Sequence, residues 1–261
     1  MMFKTILSTV GAYKLYEKWL WRQVKNGIKP EHIAIILDGN RRWAMDKALN
    51  PWSGHEKGAE KVEQLIDWCI KLNVKSMTLY AFSTENFQRS KDEVTEIMRI
   101  ASENLRKILT DERVYRDKIH VKVIGRTNLL PEDLQQVIRD VERTTNDYDG
   151  HFLNFAFAYG GRAEIVDAAR KIAEDVYAGK LSPSKVDEAT FEQHLYTAHL
   201  PKQDPDLIIR TSGEERLSGF LLWQSAYSEL CFLDVYWPDF RFIDLLRAVR
   251  TFQNRKRRFG T

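Results

Sequence analysis

The sequence predicts an α/β fold in which six strands alternate with helices, giving a central, mostly parallel sheet flanked by helices. Three observations point to it. Short apolar runs rich in β-branched residues, Ile33 to Leu37 the clearest, are too short for core helices and read as strands buried on both faces. Longer stretches between them repeat apolar residues at helical spacing. With 261 residues, 43% apolar and 30% charged, the chain suits one large domain with a sizeable core and neither a disordered nor a membrane-spanning class.

In chain order, residues 1–29 read as an N-terminal amphipathic helix. Ile6, Val10, Tyr13, Leu20 and Val24 share one stripe, Leu15 and Trp19 lie opposite, and six basic residues accompany the single acid Glu17. Two readings stay open: both faces dock on the domain, or one rests on an anionic membrane surface as a peripheral contact. The segment lacks a secretory signal's compact apolar region, and Cys69 and Cys231 read as buried thiols, so a cytoplasmic setting is expected. Residues 30–261 carry no repeat or low-complexity linker and read as a single domain.

The first strand is followed by a loop and then a helix from about Glu56 to Leu72, with Ala59, Val62, Ile66 and Cys69 inward. A strand from Lys75 to Phe82 precedes a helix from about Asp92 to Leu109 with a wide apolar stripe. Strand Ile119 to Ile124, a helix opened by Pro131, and strand Phe152 to Tyr159 come next. Helices over Ala163 to Tyr177 and near Glu188 to Thr197 follow. The fifth strand begins at Leu207, the sixth covers Leu230 to Val235, and a helix from about Phe240 leads into a basic tail.

Ligands of open parallel sheets bind beyond the carboxyl ends of the strands, so the loops there matter most. Asp38 can hold a hard cation, Gly39 admits close backbone approach, and Arg41 and Arg42 match phosphate. Together they suggest a magnesium–diphosphate site, although an Asp-Gly turn with solvated arginines accounts for the same residues. His55, after Ser53-Gly54 at a helix start, either meets a phosphate or caps the loop. Ser83 to Arg89 makes a second polar loop, and Arg210 to Gly219 a third with two arginines and two serines around glycines. Solvation explains the charges of one such loop but not three arginine-bearing loops at strand ends. A net charge of +3, with basic residues gathered at the chain ends, argues against a nucleic-acid partner. Zinc spacing, the P-loop, the dinucleotide glycine fingerprint and G-x-S-x-G are all missing.

The segments HIAIILDGNRRWA, GHEKGAEKV, TLYAFSTENFQRS, FAYGGR, DLIIRTSGEERLSGFLLWQSAYSEL and DVYWPDF, in that order, resemble the cis-prenyltransferases over residues 30–260. The resemblance implies that family's fold with a hydrophobic tunnel, whose wall would include the stripe on the helix from Asp92. It implies a magnesium-dependent homodimer that adds isopentenyl diphosphate to an allylic diphosphate, forming a cis double bond at each step. It assigns Asp38 to the metal, with Glu229 supporting the metal and the subunit interface. Gly39, Asn40, Arg41, Arg42 and His55 would bind the allylic diphosphate, with Arg89 in the second loop. Trp43 and Phe87 would wall the reacting carbons, and Ser83 and Asn86 are candidates for proton handling. Arg210, Arg216 and Ser218 would bind isopentenyl diphosphate, helped by Arg258 and Gly260 of a C-terminal Arg-x-Gly that reaches the partner subunit.

Two departures stand out. The Arg41-Arg42 pair looks like archaeal and eukaryotic members, where bacterial ones often carry Gly first, and Pro51 stands where some members place a diphosphate-binding Arg. The sequence has no Asp-Asp pair, unlike trans-prenyltransferases. A non-catalytic scaffold subunit of a heteromer is the competing reading, but such partners lose the Asp38 and arginine positions kept here.

Overall fold

Six short segments pair into one sheet: β1 (His32–Ile36), β2 (Ser76–Ser83), β3 (Ile119–Ile124), β4 (His151–Tyr159), β5 (Leu207–Arg210) and β6 (Glu229–Phe232). The computed structural model describes residues 11–255, so Ile6, Val10, Arg258 and Gly260 lie outside the described residues. The strand order is β3-β4-β2-β1-β5-β6 and every pairing is parallel. All five residues of β1 are buried because both faces of the sheet are covered. From β1 the chain moves to β2 on one side and only later to β5 on the other. The end of β1 is therefore where the winding reverses, and where a crevice opens.

The helices are α1 (Ala12–Val24), α2 (Asn40–Asp46), α3 (Pro51–Leu72), α4 (Lys91–Ile108), α5 (Glu112–Arg116), α6 (Glu132–Thr145), α7 (Gly161–Tyr177), α8 (Glu188–Glu192) and α9 (Phe242–Asn254). Residues from α1, α3, α4, α6 and α9 form the larger core against Ile33, Ile35, Leu79, Val121 and Leu153. The opposite face, with Ala34, Ile36, Tyr80, Ala156 and Ile208, is covered by Phe220 and Leu221.

The boundaries differ from expectation where a helix start hides in a polar stretch. α3 begins at Pro51, not Glu56, because proline at the first helical position forfeits an N–H that has no helical partner anyway. α2 and α5 were not anticipated: Asp38 to Asp46 reads as a loop until Gly39 turns it. α8 stops at Glu192, the sixth strand ends at Phe232 and already includes Glu229, and α9 starts at Phe242 after a 3₁₀ turn.

On α1, Leu20 and Val24 are fully buried, and Trp21 meets the Phe242 ring at 5.9 Å. Leu15 is 69% and Trp19 44% exposed, so the outer face is only partly covered by the described residues. Arg247 and Arg250 of α9 lie over the Tyr16 and Trp19 rings at 5.2 and 5.0 Å. Cys69 and Cys231 are free thiols. Among the described residues, no helix is long and apolar enough to cross a membrane.

Candidate active site

Gly39 sets the geometry at the end of β1. Its φ is 98°, and a Cβ there would lie 2.7 Å from Tyr236 Cδ1, so only glycine turns the chain straight from Asp38 into α2. The Asp38 carboxylate accepts from Gly39 N at 2.7 Å, from Arg210 Nη2 at 2.8 Å and from Arg42 Nη2 at 3.3 Å. Burial pushes this carboxyl up, but the Arg210 hydrogen bond and charge outweigh it, with Ser212 and Arg42 adding, and hold it below its usual range. Thr211 ties the two loops together, accepting from Asp38 N at 3.0 Å and donating to Asp38 O at 2.7 Å.

The third loop is built around the same arginines. Arg210 Nη1 donates to Ser218 Oγ at 2.8 Å and to the Arg216 carbonyl, while Arg42 Nη2 donates to Ser212 Oγ at 2.6 Å. Ser212 and Ser218 both hold left-handed backbones, φ 76° and 49°, which non-glycine residues adopt only where the surroundings impose it. Glu214 joins Arg42, at 3.2 Å, to Arg216.

On the other side, α3 lies unusually close to α2. A Cβ on Gly54 would stand 2.0 Å from the Asn40 carbonyl oxygen, so glycine is what lets the helices approach and brings His55 beside Asn40. His55 Nε2 is buried with no hydrogen-bond partner and lies 3.4 Å from Glu93 Oε1. Burial, then the Arg89 charge, lowers its pKa to about 4. Glu93 also takes Arg89 Nη1 at 2.9 Å and lies 3.5 Å from Arg41 Nε. Ser83 and Asn86 cap a 3₁₀ turn reciprocally, with Asn86 Oδ1 accepting from Ser83 N at 3.1 Å.

Two cavities meet here. A polar one of about 710 Å³ is lined by Asp38, Asn40, His55, Ser83, Asn86 and Ser218, with Arg41, Arg42, Arg89 and Arg210. An apolar one of about 680 Å³ runs between α3, α4 and the sheet, past Val62, Ile97, Ala101 and Phe155. Leu37, Asn40, His55 and Ala81 line both. Ala81 reaches this shared wall because the pairing of β2 with β4 slips between Tyr80 and Phe82. Asn40 Oδ1, His55 Nε2 and Arg210 Nε are buried without partners, a costly state that a polar ligand would relieve. Among the described residues, no three His, Cys, Asp or Glu side chains converge on a metal position. Asp38 alone still fits magnesium, which keeps waters and takes further ligands from phosphate oxygens.

Within this chain, four of the expected residues are not brought to the two cavities. Trp43 is buried under the Lys47 ammonium at 4.0 Å, and Phe87 packs edge-on against Phe82 at 4.9 Å; neither lines a cavity. Arg216 turns its guanidinium to Glu214 on the surface, offering the site its carbonyl instead. Glu229 is not brought to Asp38: it opens β6 level with Leu207 and Ile33, at the opposite end of the sheet, and pairs with Arg255. Conversely, Glu93 and Glu214 went unnoticed in the sequence. Ser90-x-x-Glu93 reads as an ordinary capping box, and Glu214 as one charge in a charged loop.

The prenyltransferase family described as undecaprenyl diphosphate synthase matches residues 36–260. A tritrans,polycis-undecaprenyl-diphosphate synthase (geranylgeranyl-diphosphate specific) from Methanopyrus kandleri is 54% identical over 254 residues, 97% of this chain and 93% of that protein. The crystal structure of lavandulyl diphosphate synthase from Lavandula x intermedia, in complex with dimethylallyl diphosphate, superposes with a TM-score of 0.86 at 42% identity, over 92% of this chain and all of that one. A probable undecaprenyl diphosphate synthase from Campylobacter jejuni gives 0.72 at 31% identity, over 90% of this chain and 100% of the other. The archaeal and plant proteins thus stand nearer than the bacterial one, in line with the Arg41-Arg42 pair.

Proposed function

This chain belongs to the undecaprenyl diphosphate synthase family of cis-prenyltransferases, and from that premise we infer how its residues divide the work. It is a chain-elongating transferase, condensing isopentenyl diphosphate with an allylic diphosphate and releasing pyrophosphate. The observation that carries the assignment of roles is the wall shared by the two cavities. An arginine-lined space sized for diphosphates opens beside an apolar space sized for a prenyl tail.

Arg41, His55 and Arg89, with the Gly39 and Asn40 backbone, take the allylic diphosphate, whose tail enters the apolar cavity. Arg210 and Ser218 take isopentenyl diphosphate, and Arg210 already bridges Ser218 to Asp38. As the allylic C–O bond breaks, negative charge grows on the leaving diphosphate, where the fixed guanidiniums stabilise it most. Asp38 would hold the magnesium ion, which supplies further positive charge to the diphosphate oxygens. The isopentenyl double bond attacks the freed carbon and one proton leaves, with Ser83 and Asn86 at the cavity edge as its candidate handlers. Separate arginine sets keep the two diphosphates apart and the carbons in reach.

By analogy with the Methanopyrus kandleri protein's name, geranylgeranyl diphosphate is the proposed primer. Incubation with labelled isopentenyl diphosphate, magnesium and primers of several lengths should give long polyprenyl diphosphates, most efficiently from the C20 primer. No incorporation from any primer, or full incorporation with chelator, would sink the assignment.

We also take the enzyme to be a cytoplasmic homodimer that touches membrane through α1. Leu15 and Trp19 are exposed beside Lys14, Lys18, Arg22, Arg247 and Arg250, a pattern suited to anionic lipid. Replacing Leu15 and Trp19 by serine should abolish sedimentation with anionic liposomes and spare turnover of soluble primers; unchanged sedimentation would reject the contact.

A further inference from the structure

Glu93 sits in the first turn of α4, its side chain only 8% exposed, and lines neither cavity. Ser90 Oγ accepts from Glu93 N at 3.4 Å, but the return bond of a capping box, from Ser90 N to the Glu93 carboxylate, is not made. Its carboxylate is engaged elsewhere. Oε1 lies 2.9 Å from Arg89 Nη1, 3.4 Å from His55 Nε2 and 3.5 Å from Arg41 Nε. Those three groups come from three different elements: the turn after β2, α3 and α2. All three line the polar cavity, so Glu93 stands behind them, on the side away from the ligand space.

We propose that Glu93 is a positioning residue, a buried counter-charge that orients Arg41, His55 and Arg89 to receive the allylic diphosphate. The proposal rests on reading this cavity as the diphosphate site. Without an anion behind them, the Arg41 and Arg89 guanidiniums converging on one cavity repel, and they and the neutral His55 ring lose their shared anchor. With it, the three are held before substrate arrives, which lowers the ordering cost of binding. The helix that carries Glu93 also reaches the apolar cavity: one turn further along, Ile97, and then Ala101 and Leu105, line it.

Charge alone predicts the opposite result, which makes the proposal decidable. Removing a carboxylate near a diphosphate raises the local positive potential and should tighten binding. Loss of positioning should weaken it. In Glu93→Gln the KM for the allylic substrate should rise about tenfold or more, with the KM for isopentenyl diphosphate unchanged. Glu93→Asp, which keeps the charge, should recover part of the loss. Ser90→Ala, which removes the cap alone, should lower Tm without moving either KM. Tighter allylic binding in Glu93→Gln, or equal changes in both KM values, would overturn the positioning role. Titration of each protein with an unreactive allylic S-thiolodiphosphate by calorimetry reads the allylic site without turnover. A wild type that is inert in turnover, but whose binding of this probe weakens after Glu93→Gln, would indict the assigned reaction, not the role of Glu93. Undiminished binding of the probe by folded Glu93→Gln would end the proposal.

Discussion

Two of the polar networks among the described residues lie towards opposite ends of the sheet, and they leave different things undone. Beyond the C-terminal ends of the strands, Asp38 with Arg42 and Arg210, and Glu93 with Arg41, Arg89 and His55, make two charged sets around one cavity, together the charged network. Towards the other end, His199 Nε2 meets Asn154 Oδ1 at 2.8 Å, Asn154 Nδ2 donates to Thr78 Oγ1 at 3.2 Å, and His32 Nε2 lies 2.8 Å from that hydroxyl. This second set is uncharged when its histidines are neutral, and none of its members borders either cavity. Both contain histidines with lowered pKa values and unpartnered ring nitrogens. A perturbed histidine is therefore a poor marker of function here. What separates the networks is ionised arginine facing open space.

The sharpest way to test that division is to remove one group from the charged side. Asp38→Ala should lower turnover about 10³-fold or more, with circular dichroism showing the fold retained even though the unpaired Arg210 lowers Tm. Magnesium chelation should act likewise on the unmodified protein. A variant that turned over normally would place the chemistry elsewhere.

The strands, their alternation with helices and the charged loops were readable because each rests on local rules: apolar runs, arginine beside glycine, strand ends. Asp38, His55, Arg89 and Arg210 do converge as expected. What escaped depends on tertiary approach. Glu93 looks like a cap until α2 and α3 bring Arg41 and His55 against it. Trp43 and Phe87 looked like cavity walls because sequence position does not say which way a ring turns. Glu229 was expected to support the metal and the subunit interface; within this chain strand register places it five residues' rise before Asp38, at the level of Ile33. The histidine network was invisible, since His32, Thr78, Asn154 and His199 are scattered along the chain as single polar residues.

Glu229 also bears on the second prediction, which would return activity rather than remove it. Arg255 pairs with Glu229, at the end of the sheet opposite Asp38. The resemblance implies that the Arg-x-Gly beyond it acts on the partner subunit's site. Asp38→Ala protomers mixed with Arg258→Ala protomers, under conditions that exchange subunits, should then regain up to about a quarter of wild-type sites. No recovery after demonstrated exchange would rule out a shared site.

The smallest effect on turnover, none at all, is expected from the second network, and there acid stability is the readout. Burial lowers His32 to about 4; burial, with Lys122 and His120 adding, lowers His199 to about 3. The unfolded imidazoles bind protons near pH 6.5 while the folded ones do not, so the unfolded state gains protons first. Stability is thus complete above about pH 6.5 and falls as pH drops toward 4, by at most about 4 kcal/mol for the pair at pH 5. Denaturant melts from pH 7.5 to 5 should show this slope in wild type. His199→Gln cannot charge and keeps a donor for Asn154, so its slope should be shallower by one titrating group while kcat at pH 7.5 is unchanged. His55 gives the contrast, because burial and then the Arg89 charge lower its pKa, and a bound anion would offset the second. In imidazole titrations by NMR, pyrophosphate should raise the His55 pKa and leave His32 and His199 where they are. If all three moved together, the two networks would be one coupled system; if only His199 moved, the division drawn at the strand ends would be misplaced.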